Sequence, residues 1–325
     1  MKLLTMGEAL IVLDPQEIGS LTSVDTFKRR IGGAEVNVAV GLARLGCEVR
    51  WFGRLGRDPF GQYIYRFLRG EGVDVGQVQF APDAPTGLYV KERLQADKIY
   101  GYYYRAFSAA SKLKAEMLPC DLLEGIDYLH LTGITPALSQ SCEKAVLALA
   151  EAAKERGITV SFDPNLRLKL WDLPKAREVL SRLAGLADIV LPGLDEGKLL
   201  WGEEIGWREE WSPQEAGEHL GRYLLALGAG TAVVKLGAAG AVLVEKERIF
   251  FQPAFKVRPV DTVGAGDGFA AGFLGGLLKN KSLDEAVELG QAVAAHVVSC
   301  PGDLDGLPTA EELAVFLGES QEVER

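Results

Sequence analysis

The residues best suited to chemistry lie in one short run, Asp261-Thr262-Val263-Gly264-Ala265-Gly266-Asp267-Gly268-Phe269, which leads straight into a helical pattern. Gly264 and Gly266 leave the backbone bare, so several N–H groups can converge at a helix N-terminus, where the dipole also favours an anion. Gly264, Ala265 and Gly266 therefore read as a phosphate cradle. Asp267 sits inside that cradle, and its carboxylate would repel a resting phosphate unless it had another task. Taking a proton from an attacking hydroxyl, beside amides that stabilise a transferring phosphoryl group, is the task that fits. The plainer alternative makes Asp267 a helix N-cap and the glycines a tight turn. The run is not a dinucleotide fingerprint, since Gly264-x-Gly266-x-x-Phe269 lacks the third glycine and lies far from a first βαβ unit. Nor is Gly193-x-x-x-Gly197-Lys198 a Walker loop, because only three residues intervene and Leu199 follows the lysine.

A second glycine pair, Gly32-Gly33-Ala34-Glu35-Val36-Asn37, opens the first long helical pattern. Bare backbone at Gly33 lets a polar ligand approach, and Asn37 offers both a donor and an acceptor to a polyol. An ordinary helix start with a solvated Asn37 is the alternative. Cys47, Cys120, Cys142 and Cys300 form no CxxC pair, and the 3 histidines are too scattered to make a metal set. Incidental thiols are expected, and zinc hydrolysis is not.

Apolar β-branched runs alternate with helical patterns over most of the length, the signature of a mostly parallel sheet covered by helices on both faces. The expected class is thus α/β, a three-layer α/β/α arrangement. Strands are predicted at Val49–Gly53, Ile158–Phe162, Asp188–Leu191 and Thr231–Leu236. Helices are predicted at Val36–Leu45, Ser139–Arg156, Pro213–Leu227, Gly266–Leu278 and Leu283–Ser299, each stopped by a glycine or a polar turn. Two segments break the alternation, about 14–31 and 85–106. The second reads as a hairpin with a polar turn at Asp97-Lys98. The two are expected to pair as a small sheet projecting over the main one, a natural lid. Gly318–Arg325 reads as a frayed end.

The 325 residues allow one large domain or two ordinary ones. With 35 basic and 45 acidic residues the formal charge is −10, which argues against a broad nucleic-acid footprint. The longest strongly apolar charge-free run, Tyr223 to Val234, spans 12 residues, against the ~20 a membrane span needs. Glu8 interrupts the N-terminal apolar stretch before a secretion signal could form, so a cytoplasmic protein is expected.

The pair Gly32-Gly33-x-x-x-Asn37 and Asp261-Thr262-x-Gly264-Ala265-Gly266-Asp267, about 230 residues apart, resembles the ribokinase-like (PfkB-type) carbohydrate kinases. Gly53-Arg54-Leu55-Gly56-Arg57-Asp58-Pro59-Phe60-Gly61 is similar to that family's Gly-x-x-Gly-x-Asp-x-x-Gly segment. The resemblance implies one kinase domain over 1–325 with an inserted lid, transfer of the γ-phosphoryl group of ATP to a sugar hydroxyl, and Mg²⁺; it leaves room for a monovalent cation. It implies no nucleic-acid or membrane partner, and a homo-oligomer formed through the lid. Lys235-Leu236-Gly237-Ala238-Ala239-Gly240 is similar to the family's turn at the nucleotide, which implies contacts from Lys235, Gly237 and Gly240 and an adenine lying near Ala292, Ala295 and His296. Glu196 matches the acid of the family's Asn-x-x-Glu motif and would order water around Mg²⁺, although Gly193 stands where asparagine is usual.

Gly87-Leu88-Tyr89, Tyr103-Tyr104-Arg105 and Leu131-Thr132-Gly133-Ile134-Thr135-Pro136-Ala137 resemble, within that family, the 2-keto-3-deoxygluconate kinases. Tyr89, Tyr103, Arg105 and Arg167 would then hold an acid sugar, Gly33 and Asn37 its far end, and Asp303 would help close the site. Two arginines favour a carboxylate because guanidinium pairs with it as a bidentate fork. Tyr102 and Tyr104 alternate with Tyr103 and Arg105, so one face of this strand would meet sugar and the other a second subunit. A neutral-sugar kinase such as a fructokinase shares the catalytic motifs and lacks a reason for the arginines. A non-catalytic sugar sensor would not need Asp267 in its cradle.

Overall fold

Side chains that alternate between two apolar environments along one strand dictate a sheet with a core on each face. In a computed structural model, which describes residues 1–95, 98–300, 302 and 304–318, the first third of the chain has ten elements. They are β1 (Lys2–Met6), β2 (Leu10–Pro15), β3 (Phe27–Gly32), α1 (Ala34–Arg44), β4 (Glu48–Phe52), β5 (Arg54–Gly56), α2 (Pro59–Gly70), β6 (Gln79–Ala81), β7 (Gly87–Gln95) and β8 (Lys98–Tyr104). There follow β9 (Tyr128–Thr132), α3 (Ile134–Ala137), α4 (Gln140–Glu155), β10 (Thr159–Asp163), α5 (Leu173–Leu186), β11 (Ile189–Val190) and α6 (Leu194–Trp201). The chain continues through α7 (Pro213–Leu227), β12 (Thr231–Lys235), β13 (Gly240–Val244), β14 (Ile249–Pro253), α8 (Ala265–Leu278), α9 (Leu283–Val298) and α10 (Ala310–Phe316).

The main sheet has 8 strands in the order β14-β13-β12-β11-β10-β9-β1-β4. From β4 to β12 every pairing is parallel, whereas β12-β13 and β13-β14 are antiparallel. Leu3 faces the core shared with α1, α8 and α9, and its neighbour Leu4 faces the core shared with α4, α5 and α7. Val233 and Val234 divide in the same way, so the helices lie on both faces of the sheet. The predicted strands and helices sit where expected to within two residues. The antiparallel edge was not anticipated. Its turn at Gly237–Ala239 is too short for the crossover that a parallel pair needs, and it returns β13 directly beside β12.

Local chemistry sets the helix starts. Asp58 accepts from the Gly61 N–H at the head of α2, with Pro59 in the first turn. Ser212 with Glu215, and Ser282 with Glu285, make reciprocal capping boxes on α7 and α9. Asp58 also accepts from the Thr86 N–H and hydroxyl at 2.8 and 2.9 Å, tying α2 to the entry of β7. The Gly-x-x-Gly-x-Asp-x-x-Gly segment is therefore a cap and a brace for the lid.

The lid is a separate sheet of 4 strands, β3-β2-β7-β8. β2 and β7 run parallel, which pairs the two segments that broke the sequence alternation. The first of them begins earlier than expected, at Leu10. Asp97 of the expected hairpin turn and 319–325 of the expected frayed end lie outside the described residues.

Candidate active site

The C-terminal ends of the parallel strands, the N-terminus of α8 and the inner face of the lid enclose one cleft. Gly264 takes the N-cap position of α8 with a φ of 80°, a left-handed conformation that glycine adopts without strain. This places Asp267 in the first helical turn and not at the cap. The N–H groups of Gly266 and Asp267 belong to the orphan donors of a helix start. Ala265 turns its N–H back to the Thr262 carbonyl at 3.4 Å.

Asp267 is half-buried, and Asn37 Nδ2 donates to its Oδ2 at 2.7 Å. Asn165 Nδ2 approaches the other oxygen at 3.4 Å. Burial pushes the Asp267 carboxyl up to about 7, with the Asn37 hydrogen bond opposing the rise and the Asp163 charge adding to it. A carboxyl poised near neutrality is matched to accepting a proton at working pH. Asn165 is held at a φ of 39°, uncommon for a residue with a side chain, directly beside this carboxylate.

Next to the base lies a buried ion pair, Lys235 Nζ to Asp163 Oδ2 at 2.6 Å. Burial lowers the lysine's pKa, but the charges of Asp163 and Glu196 outweigh it and raise the pKa above the ordinary lysine value. Glu196 closes the group. Its Oε1 accepts from the Gly193 N–H at 2.6 Å and its Oε2 from the Leu166 N–H at 2.9 Å, and burial raises its pKa. Glu196 thus fastens two loops together. A Cβ at Gly193 would lie 3.4 Å from Glu196 Oε1, an ordinary contact, so packing does not demand glycine there. Asp163, Asn165, Arg167, Glu196, Lys235, Gly264, Gly266 and Asp267 surround a cavity of about 720 Å³.

On the lid side, Gly33, Asn37, Tyr89, Tyr103, Arg105, Arg167 and Asp267 line a contiguous cavity of about 290 Å³. Tyr89 and Tyr103 stack with centroids 4.5 Å apart. Room for that stack comes from Gly101, where a Cβ would fall 2.2 Å from the Tyr89 ring. The Arg105 guanidinium lies 5.2 Å from the Tyr103 ring centroid. Gly33, with a φ of 137°, brings the start of α1 against the Glu8 carbonyl. On the other side of the cradle, Lys235, Gly237, Gly240, Ala265 and Gly266 line a cavity of about 680 Å³ whose walls include Phe255, Val257, Ala294, Ala295 and Val298.

Two expected nucleotide contacts do not reach that cavity. Ala292 is fully buried, and His296 Nδ1 meets the Gly306 carbonyl at 2.9 Å while its ring packs on Phe316. Helical periodicity explains it: positions 292 and 296 share a face turned away, while Gln291, Ala294, Ala295 and Val298 are on the face that lines the cavity. Asp303 lies outside the described residues. Sequence reasoning gave no role to Glu8, Glu35 or Lys91 in the lid-side cavity, nor to Asp163 and Asn165 beside the base. Asp163-Pro164-Asn165 at the end of a buried strand was a usable signal; an acid in a lid link carries none until the fold brings the links together.

A mostly parallel sheet with an inserted β-lid, and a carboxylate facing a helix-start anion cradle, define a ribokinase-like phosphotransferase. The chain belongs to the pfkB family of carbohydrate kinases, whose model matches residues 1–310. It is 41% identical over 322 residues to a 2-dehydro-3-deoxygluconokinase of Bacillus subtilis, covering 98% of this chain and 96% of that one. Among solved structures, a PfkB protein from Polaromonas sp. JS666 superposes with a TM-score of 0.84 at 36% identity, covering 96% and 99% of the two chains. A sugar kinase from Pyrococcus horikoshii in complex with ATP superposes with a TM-score of 0.82 at 29% identity, covering 96% and 97%.

Proposed function

We propose that the chain is an ATP-dependent kinase of 2-keto-3-deoxygluconate (2-dehydro-3-deoxygluconate), forming its 6-phosphate and ADP. The observation that carries the reading is one continuous cleft in which Asp267 and its cradle separate a cavity bearing Arg105 and Arg167 from a cavity with apolar walls. The similarity to the Bacillus subtilis enzyme supports the choice of sugar.

In this reading the stacked Tyr89 and Tyr103 cover the apolar face of the sugar, Arg105 and Arg167 meet its carboxylate, and Gly33 and Asn37 hold the end that carries the reacting hydroxyl. Asn37 also orients Asp267, which takes the proton of that hydroxyl. The bare amides at Gly264 and Gly266 stabilise negative charge on the group in transfer. The residues present suit ATP and Mg²⁺: the α8 N-terminus is an anion site, and the cavity lined by Phe255, Val257 and Ala295 accepts a flat base. Lys235, Gly237 and Gly240 would lie along the nucleotide. Among the described residues no cluster of three acids, histidines or cysteines could cage a metal. Such a site suits an ion held mainly by phosphates and water, with Glu196 near it. When bound, ATP and Mg²⁺ supply the phosphoryl group and neutralise its charge.

Two further features belong to the same proposal. Among the described residues no helix is long and apolar enough to cross a membrane, and all four cysteines are free, which supports a cytoplasmic setting. Tyr100, Tyr102 and Tyr104 are 51%, 46% and 66% exposed on one face of β8, which supports a homo-oligomer formed through the lid. The test of the sugar assignment is Arg167→Ala. It should raise KM for 2-keto-3-deoxygluconate by about 10- to 100-fold, the worth of a charge-assisted hydrogen bond, and leave fructose nearly unaffected. Equal losses for the two sugars would refute carboxylate recognition.

A further inference from the structure

The lid joins the main body through four links, and one residue stands where all four meet. Glu8 occupies the link between β1 and β2. Gly33, in the link from β3 to α1, lies so close that a Cβ there would fall 2.2 Å from the Glu8 carbonyl oxygen. Gly87, at the start of β7, would put a Cβ 2.9 Å from Glu8 Oε1. Arg105, the first residue after β8, pairs its Nη2 with Glu8 Oε2, and the Ser108 hydroxyl donates to Oε1 at 3.3 Å. The Glu8 and Arg105 side chains are 2% and 11% exposed.

Glu35 is the second buried acid at this point. The hydroxyls of Thr132 and Thr135 both donate to its Oε1 at 2.7 Å, and its Oε2 has no hydrogen-bond partner among the described residues. Burial raises the pKa of both carboxyls, and the Arg105 guanidinium opposes the rise at each. Arg105 is thus the ion-pair partner of Glu8, while Glu35 is held chiefly by the two threonine hydroxyls. The guanidinium cannot swing away without stranding a buried charge, which costs far more than the pair contributes. Its Nε is enclosed and has no hydrogen-bond partner among the described residues, and the residue borders the cavity that Tyr89 and Tyr103 also line.

We propose that Glu8 is a positioning residue for sugar recognition, holding the Arg105 guanidinium at the lid hinge so that its remaining donors face an acidic sugar. This rests on the reading of Arg105 as a contact to the sugar carboxylate. The planar guanidinium has five donors in a fixed fork, so pinning one part of it to Glu8 fixes where the others point. Pre-organisation removes the entropy that a mobile arginine would lose on binding.

The test compares Glu8→Gln, Arg105→Ala and the double variant in the full-length enzyme, with 2-keto-3-deoxygluconate and fructose as substrates. Glu8→Gln keeps the shape and removes the charge. It should raise KM for the acid sugar about tenfold with kcat nearly unchanged and fructose kinetics unaltered. Arg105→Ala should weaken the acid sugar selectively and lower the melting temperature. The double variant should bind no worse than Arg105→Ala alone and melt at a higher temperature, because the stranded carboxylate is gone. Glu8→Asp, which keeps the charge on a shorter arm, should fall between wild type and Glu8→Gln and serves if Glu8→Gln folds poorly. A wild-type KM in Glu8→Gln, or losses that add in the double variant, overturns the role of Glu8 alone. An unchanged preference for acid over neutral sugar in Arg105→Ala overturns the carboxylate reading, and the role of Glu8 with it.

Discussion

Asp267 unites the two motifs most distant in the sequence: it belongs to the cradle at the start of α8, and its nearest hydrogen-bond donor is Asn37 of α1. With its carboxyl raised to about 7, it is a competent base only above that pH. The rate, kcat/KM, should therefore fall tenfold per pH unit below about 7 and level off above, and a profile flat from pH 5 to 8 would exclude this base. Asp267→Asn should cut kcat by about 10²- to 10⁴-fold while sugar binding, measured by calorimetry, survives. Stability should move the other way. The folded state keeps the proton at pH values where the unfolded chain has lost it, so this contribution is present below about pH 4 and is lost as pH rises through about 7. Asp267→Asn should accordingly melt higher than wild type at pH 8, by a margin that shrinks steadily as the pH falls toward about 4. The helix start that carries Asp267 was legible in the sequence because Gly264 and Gly266, followed at once by an acid and a helical pattern, bare the backbone where a helix begins. Glu8 and Glu35 were not, since an acid in a link after a strand or in the first turn of a helix reads as solvated until burial is known.

At the scale of elements, the lid strands β7 and β8 carry the aromatics proposed to cover the sugar, and one glycine decides their geometry. Gly101 leaves room for the Tyr89 ring, so Gly101→Ala must displace the stacked pair. The expected result is a KM for the sugar about tenfold higher with kcat close to wild type, and a lower melting temperature, since overpacking costs about 1–2 kcal/mol of stability. An unchanged KM would show that the stack does not meet the sugar. The lid itself could be read from the sequence because Pro15, Gly19 and the alternating Tyr run are incompatible with a long helix. The register of β2 on β7 could not, because parallel pairing of two distant segments leaves no local signature. Helix faces were the other limit. Of Ala292, Ala295 and His296 on α9, Ala295 lines the apolar cavity and the other two do not, because successive helical residues are turned by about 100° and packing alone decides which face is presented.

At the scale of the molecule, a chain of net charge −10 is proposed to take up an anionic nucleotide and an anionic sugar. Local groups make that workable: helix-start amides at Gly264 and Gly266, Lys235 beside Asp163, and Arg105 and Arg167 under the lid. If the exposed face of β8 pairs with a second copy, sedimentation should show a dimer that Tyr104→Lys shifts toward monomer; a monomeric wild type would end that part of the proposal. Bulk composition concealed these pockets because it averages over a surface they do not share. The central claim, an acid-sugar kinase, is tested most directly by ADP release across a panel of neutral and acidic sugars at saturating Mg-ATP. The prediction is a kcat/KM for 2-keto-3-deoxygluconate at least about 100-fold above that for fructose, the upper range of one charge-assisted contact. Fructose turned over as well as the acid sugar, or better, would contradict it.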